Sequence, residues 1–162
     1  MAKPDLSSYG GKLLDAGFPG QVADMQDTEI QSLTLEGVGA TIDFGVAIAR
    51  GTADDTCKVI AADGDLPIGI TVRHPIRPAD ASGEVLYRRY DSVPIMRRGN
   101  IFCLSHENAA RGDAALSITA QGGKIGSTTG GAAGAGRIAI ADAKWETSQA
   151  AAAIGIVRIN AV

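Results

Sequence analysis

Ile42-Asp43-Phe44-Gly45-Val46-Ala47-Ile48-Ala49, answered at 66–72 by Leu66-Pro67-Ile68-Gly69-Ile70-Thr71-Val72, is the stretch that decides the fold. Apolar residues at Ile42, Phe44, Val46 and Ile48, and again at Ile68, Ile70 and Val72, repeat at period two. That is the spacing at which a half-buried strand presents one apolar face. The polar connector Arg50 to Thr56 separates the two segments. Gly45, Ala47, Ala49 and Gly69 occupy alternate positions, and a face with so little side chain suits close approach of another backbone or another sheet.

Downstream, the same kind of signal returns about every ten residues. Thr56-Cys57-Lys58-Val59-Ile60 ends at the turn-forming Asp63-Gly64-Asp65. Pro75 and Pro78 forbid regular ladder pairing, so 74–78 reads as a loop or a sheet edge. Glu84 to Tyr87 and Ser92 to Met96 read as strands, with Arg97-Arg98-Gly99-Asn100 as a tight turn into Ile101-Phe102-Cys103-Leu104. Arg111-Gly112-Asp113 turns the chain into Ala114 to Ile118. The Gly/Ala-rich stretch 121–136 has the composition of a flexible surface loop. Arg137 to Ile140 and Ile154 to Ile159 finish the sheet, the last strand directing Ile154, Ile156 and Ile159 toward apolar partners, with a helical turn over Ala150–Ala153 between them. Evenly spaced short strands predict an all-β sandwich, jelly roll or barrel.

Upstream the pattern dissolves. Leu13, Leu14, Phe18, Val22, Met25, Ile30, Leu33 and Leu35 keep no steady period, and glycines close off the short helical turn that 24–33 would wrap. Residues 1–36 therefore read as an extended arm and 37–162 as the β-rich body. An arm with so little apolar surface is ordered only by what it lies on, and Phe18, Met25 and Leu33 call for a protein partner.

A chain of 162 residues suffices for one domain, or one domain plus an arm. Its net charge of −3 argues against general nucleic-acid affinity, which needs a basic surface to displace phosphate counterions. The charge is uneven: residues 1–56 are acidic and 73–98 are rich in arginine, an arrangement that invites pairing within one chain or between neighbours. Met1-Ala2-Lys3-Pro4-Asp5 opens without the apolar run of a signal peptide, and no segment approaches a membrane span, so synthesis in a cytoplasm is expected. Cys57 and Cys103 sit in separate strand-like segments with no second ligand at metal spacing, which predicts buried reduced thiols and no zinc site.

The motifs of catalysis fail one by one. His106-Glu107 lacks the second histidine a zinc-protease helix needs, since Ala110 stands there. No Gly-x-Ser-x-Gly elbow occurs. Gly122-Gly123-Lys124-Ile125 departs from the phosphate-loop pattern, and Gly134-Ala135-Gly136 follows a loop where a dinucleotide fingerprint must follow a strand. Arg111-Gly112-Asp113 reads as a turn. The signal left over is basic: Arg88-Arg89 and Arg97-Arg98 flank a predicted strand, and planar guanidinium groups suit docking on an acidic protein surface. Only Tyr87 and Tyr90 interleave with them, too few aromatics for a single-strand nucleic-acid groove.

Five segments together resemble the structural cement proteins of tailed bacteriophages and prophages. They are Phe18 to Asp24, Ile42 to Asp55, Ile68 to Arg73, Val93 to Gly99, and Trp145-Glu146-Thr147-Ser148. The resemblance implies a jelly-roll-like body with an extended arm and no catalytic, cofactor-binding or metal-binding residues. It further implies a homo-oligomer, a homodimer ahead of a trimer, bound outside the major capsid protein lattice of the virion and made in the bacterial host cytoplasm. Contacts to capsid or neighbouring subunit are then expected from Phe18, Val22, Met25, Ile30 and Leu33 of the arm and from Arg73, Arg88, Arg89, Arg97 and Arg98. Two other readings stay open: a small β-barrel enzyme or ligand-binding module using His74, His106 or Cys103, and a tail or neck component of a virion.

Overall fold

The computed structural model describes residues 17–24, 27–74 and 85–160. Among the described residues the strands are β1 (Glu29–Leu35), β2 (Thr41–Ile42), β3 (Ala47–Arg50), β4 (Thr56–Val59), β5 (Pro67–Thr71), β6 (Tyr87–Arg88), β7 (Ser92–Leu104), β8 (Ala114–Ile118), β9 (Lys124–Ser127), β10 (Arg137–Trp145) and β11 (Ile154–Asn160). A single 3-10 turn, Thr119–Gln121, follows β8. The fold is all-β, as the period-two pattern predicts.

Its architecture turns on β7, whose 13 residues serve two sheets. The first half of β7 pairs antiparallel with β1 on one edge and with β5 on the other. β5 continues to β3, β3 to β4, and β4 returns to β1 in parallel at Thr34↔Thr56 and Leu35↔Cys57. These five strands thus close into a ring, a device that leaves no unpaired edge. The second half of β7 pairs with β11, and the order runs on through β10 and β8 to β9. Ser105, just past β7, bridges Ile125 of β9, and the His106 N–H donates to the Ile125 carbonyl at 3.0 Å. The second sheet therefore also curls back onto β7.

Two apolar cores result. Leu33, Leu35, Ile48, Cys57, Val93 and Ile95, drawn from the strands of the ring, fill its interior, and Phe44 and Tyr87 join them edge to face with centroids 5.1 Å apart. The second core lies between the outside of β3 and β5 and the inside of the second sheet: Ala47, Ala49 and Ile70 meet Ile101, Cys103, Ile125, Trp145, Val157 and Ile159. Each fully buried Leu or Ile here contributes about 1.5–3 kcal/mol relative to exposure. β3 is thereby buried on both faces, not half-buried: Ile48 points to one core, Ala47 and Ala49 to the other. The small alanines are what let the second sheet approach, and the Ala47 N–H donates to the Gly123 carbonyl at 2.8 Å across the joint.

The structure corrects several readings of the sequence. The expected arm of 1–36 does not stop at the body: Glu29–Leu35 is β1, a stave of the ring, and Leu33 belongs to the core at 4 % exposure. Residues 17–24 also lie on the body: the Gly20 N–H donates to the Phe102 carbonyl at 2.7 Å, the Ala23 N–H to Asn100 at 2.8 Å, and Val22 bridges Ile101. Arg97–Asn100 is not a turn. β7 continues through it with an irregularity at Arg97, where the register to β1 steps from Met96 opposite Ile30 to Arg98 opposite Glu29, and with Gly99 at a φ of +124° opposite Ile159 of β11. The 121–136 stretch contains β9, and its remainder is pinned where Glu107 forms a bidentate ion pair with Arg137. The segment 42–49 is interrupted at Gly45, whose φ of +70° turns the chain between β2 and β3. In β11 the inward set is Gly155, Val157 and Ile159, with Ile154 and Ile156 on the other face. Ala150–Ala153 forms a tight turn, Ala153 N–H to Ala150 carbonyl at 3.2 Å, in place of a helix.

Candidate functional site

The contact residues expected from sequence fall into three patches and the core; Met25 lies outside the described residues. The first patch is built by the 17–24 segment lying beside the end of β5. Phe18 is 60 % exposed, and the Arg73 guanidinium stacks over its ring at 5.1 Å and over the Phe44 ring at 5.2 Å. Cation–π contacts of this kind fix the plane of the fork. Val22 is partly buried against the second core, so it anchors the segment more than it faces outward.

Behind Arg73 opens a cavity of about 360 Å³ lined by Phe44, Val46, Leu104, Arg73, His106 and Lys124, with Asp43 on its wall. Burial first, and the neighbouring Lys124 charge second, push the His106 imidazole below its usual range.

The second patch is formed by the arginines of mid-β7; Ile30, 44 % exposed, stands on the neighbouring strand opposite Met96. Arg97 lies 3.9 Å from Glu29 and Arg98 3.8 Å from Asp27, while the Asn100 side-chain amide donates to Asp24 at 2.5 Å. The acidic first third and the basic middle thus meet within one chain. These are long, exposed pairs, worth at most about 1 kcal/mol each, and they leave the guanidinium groups open to other carboxylates.

The third patch is the end of the ring where the β1–β2 and β6–β7 connections meet. Arg88 pairs with Thr41, the Arg89 N–H donates to the Ala40 carbonyl at 3.1 Å and the Tyr90 N–H to the Leu35 carbonyl at 2.8 Å. Arg89 stacks on Tyr90 at 4.4 Å. Tyr90 is 70 % exposed and holds φ at +70°, a strained region for a residue with a Cβ. Beside it, Gly37-Val38-Gly39 presents Val38 at 90 % exposure. Neither Tyr90 nor Val38 stands among the contacts expected from sequence. The signals that point to them are an arginine next to a tyrosine at a strand end and a valine held between two turn glycines.

The groups that an enzyme reading would use are scattered. Cys57 and Cys103 are both fully buried free thiols, and desolvation pushes Cys57 up to about 12 and Cys103 higher still. A thiol so placed is a poor nucleophile at neutral pH. His74 is exposed, apart from Cys103 in the second core. Glu107, held below the usual carboxylate range first by Arg137 and also by the Ser127 N–H, is committed to the Gly-rich segment.

The structural cement protein family, typified by E217 gp24 and Pam3 gp6, matches residues 6–160. The chain belongs to this family. As a cement protein it is a structural component of a phage virion with a capsid-stabilising role. Its fold is similar to that of a chain in the capsid of Myoviridae phage XM1, with a TM-score of 0.67 at 19 % identity over 90 % of this chain and 91 % of that one. At that identity the likeness speaks for the fold alone. No curated protein matches the chain.

Proposed function

We propose that this cement protein is non-enzymatic and binds the outer surface of the major capsid protein lattice, holding capsomers together in the expanded head. The observation that carries the proposal is the family match over 6–160, which spans the arm segment and both sheets together. The surface supports it. Phe18, Ile30, Val38 and Tyr90 are large apolar side chains left at 44–90 % exposure, and an arginine stacks on two of them, Arg73 on Phe18 and Arg89 on Tyr90. Aromatic residues and arginine are the types that carry binding energy at interfaces. Many copies each making a modest contact would multiply through effective concentration. A homodimer is the assembly this reading favours, with major capsid protein and self as partners and neither nucleic acid nor membrane among them.

Co-sedimentation with empty expanded heads lacking the protein tests the proposal. Saturation at a fixed simple ratio to capsid protein, with heads then surviving heat or low salt better, is the expected result. A double substitution at the ring end, Arg89→Gln with Tyr90→Asn, keeps a side chain that tolerates positive φ and is expected to weaken binding. Absence of binding to heads of the cognate phage would refute the reading.

A further inference from the structure

The cavity behind Arg73 brings two cations to one place, Arg73 at the end of β5 and Lys124 of β9. Its volume, about 360 Å³, falls in the range of clefts that hold ligands. Arg73 and Lys124 are cations, and among the described residues neither forms an ion pair. Asp43 on the wall offsets only one of the two charges. A cation beside apolar walls gains strongly from a carboxylate, because the charge-assisted hydrogen bonds form where water is partly excluded. Arg73 is also pre-organised: stacked over both Phe18 and Phe44, its planar fork loses little freedom on binding. Inorganic phosphate would satisfy the charge but leave the part-exposed Leu104, beside the edges of Phe44 and Val46, uncovered. A carboxylate carried on an apolar body satisfies both.

We propose that this cavity is a socket for an acidic side chain on an apolar stretch of the capsid lattice protein, its carboxylate held by Arg73 and Lys124 and its apolar neighbour seated on Leu104 at the edge of Phe44 and Val46. The choice of a capsid partner rests on the cement reading above; the carboxylate chemistry does not.

Two measurements on the full chain test it. In the first, the isolated protein is titrated by NMR with acetyl-Leu-Glu-Leu-amide, with its Gln counterpart and with inorganic phosphate. The Glu peptide is expected to shift the amides of Phe44, Val46, Arg73 and Lys124 saturably, at least about fivefold more tightly than either control. In the second, wild type, Lys124→Gln and Arg73→Gln are co-sedimented with heads. Each variant is expected to bind about five- to tenfold more weakly. Lys124→Gln leaves the Arg73 stack untouched, so its result stands even where Arg73→Gln melts early. Equal binding of Glu and Gln peptides, unchanged head affinity of Lys124→Gln, or Arg73-dependent self-association without heads would each overturn the socket. Failure of the wild type itself to bind heads refutes the cement reading and with it the capsid partner, while the peptide titration still decides the carboxylate site.

Discussion

Three glycine-to-alanine substitutions should rank in an order that composition cannot supply. Gly123 stands where the second sheet meets β3. Its φ is +86°, and a Cβ there would overlap the Ala47 carbonyl oxygen, a backbone atom that cannot swing away. Left-handed strain costs roughly 1–2 kcal/mol. Relieving an overlap in a packed joint costs roughly 1–3 kcal/mol more. The Ala47 N–H to Gly123 carbonyl bond, 2.8 Å long, would be strained as well, at about 1 kcal/mol. The total for Gly123→Ala is about 3–6 kcal/mol, on the order of 10 °C in Tm for a chain of this size. Gly112 has a similar φ of +91° but open space around its Cβ position, so Gly112→Ala should lose only the strain, about 1–2 kcal/mol. Gly134 has neither positive φ nor a neighbour within 4 Å. Gly134→Ala should lie within about 0.5 kcal/mol of wild type, on the stabilising side if anywhere, because it restricts the unfolded chain. Urea unfolding followed by Trp145 fluorescence and by circular dichroism gives all three values. A Gly123→Ala protein that melts with wild type, or a Gly134→Ala protein that loses as much as Gly123→Ala, would refute the two-core joint described above.

Other expectations follow from single contacts. Trp145 is 1 % exposed and its indole N–H donates to the Gly126 carbonyl at 3.0 Å; Trp145→Phe should cost about 2–4 kcal/mol through a cavity and an orphaned carbonyl, read as a lower urea midpoint. Glu107→Gln should break the bidentate pair with Arg137, lower stability by about 1–2 kcal/mol and speed hydrogen exchange across 127–136, where Gly130 packs against the Glu107 side chain. Stability should fall in acid. Hydrogen bonding from Lys58 lowers Asp65 from 3.8 to about 2, so its contribution is complete above pH 3.8 and is lost as pH drops toward 2; Glu107 and Asp113 are lowered too and act in the same direction. Urea midpoints at pH 7, 4 and 2.5 measure this, and Asp65→Asn should flatten part of the slope. Cys57 and Cys103 should stay unreactive toward a thiol reagent at pH 7 until the protein is unfolded, when both react.

How much was legible in the sequence depended on whether the signal was local. β4, β5 and β8 lie within segments marked as strands, β11 overruns its segment by one residue, and β10 starts in its segment, 137–140, but runs on to Trp145; the turn at 63–65 is drawn by its own chemistry, with the Asp65 carboxylate accepting from the N–H groups of Ala61 and Ala62. β1 escaped because Glu29, Gln31 and Ser32 dilute its pattern; the alternation that marks it is the short pair Leu33 and Leu35. β9 escaped because the glycines beside it look like a loop, and nothing near them in sequence announces that Glu107 and Arg137 clamp the segment.

The contact set shows the same division. Sequence alone determined the all-β class, the burial of both cysteines and the presence of an arginine-rich middle, since these rest on period, residue type and charge, which each residue carries by itself. The tertiary structure decided the rest. It showed that one 13-residue strand serves two sheets, that Leu33 is core while Phe18 is surface, that Arg97 and Arg98 face the chain's own acids, and that Arg73, Lys124 and His106 share one cavity. Those are relations between residues tens of positions apart. They exist only once the ring has closed, because strand pairing between distant segments sets which side chains become neighbours.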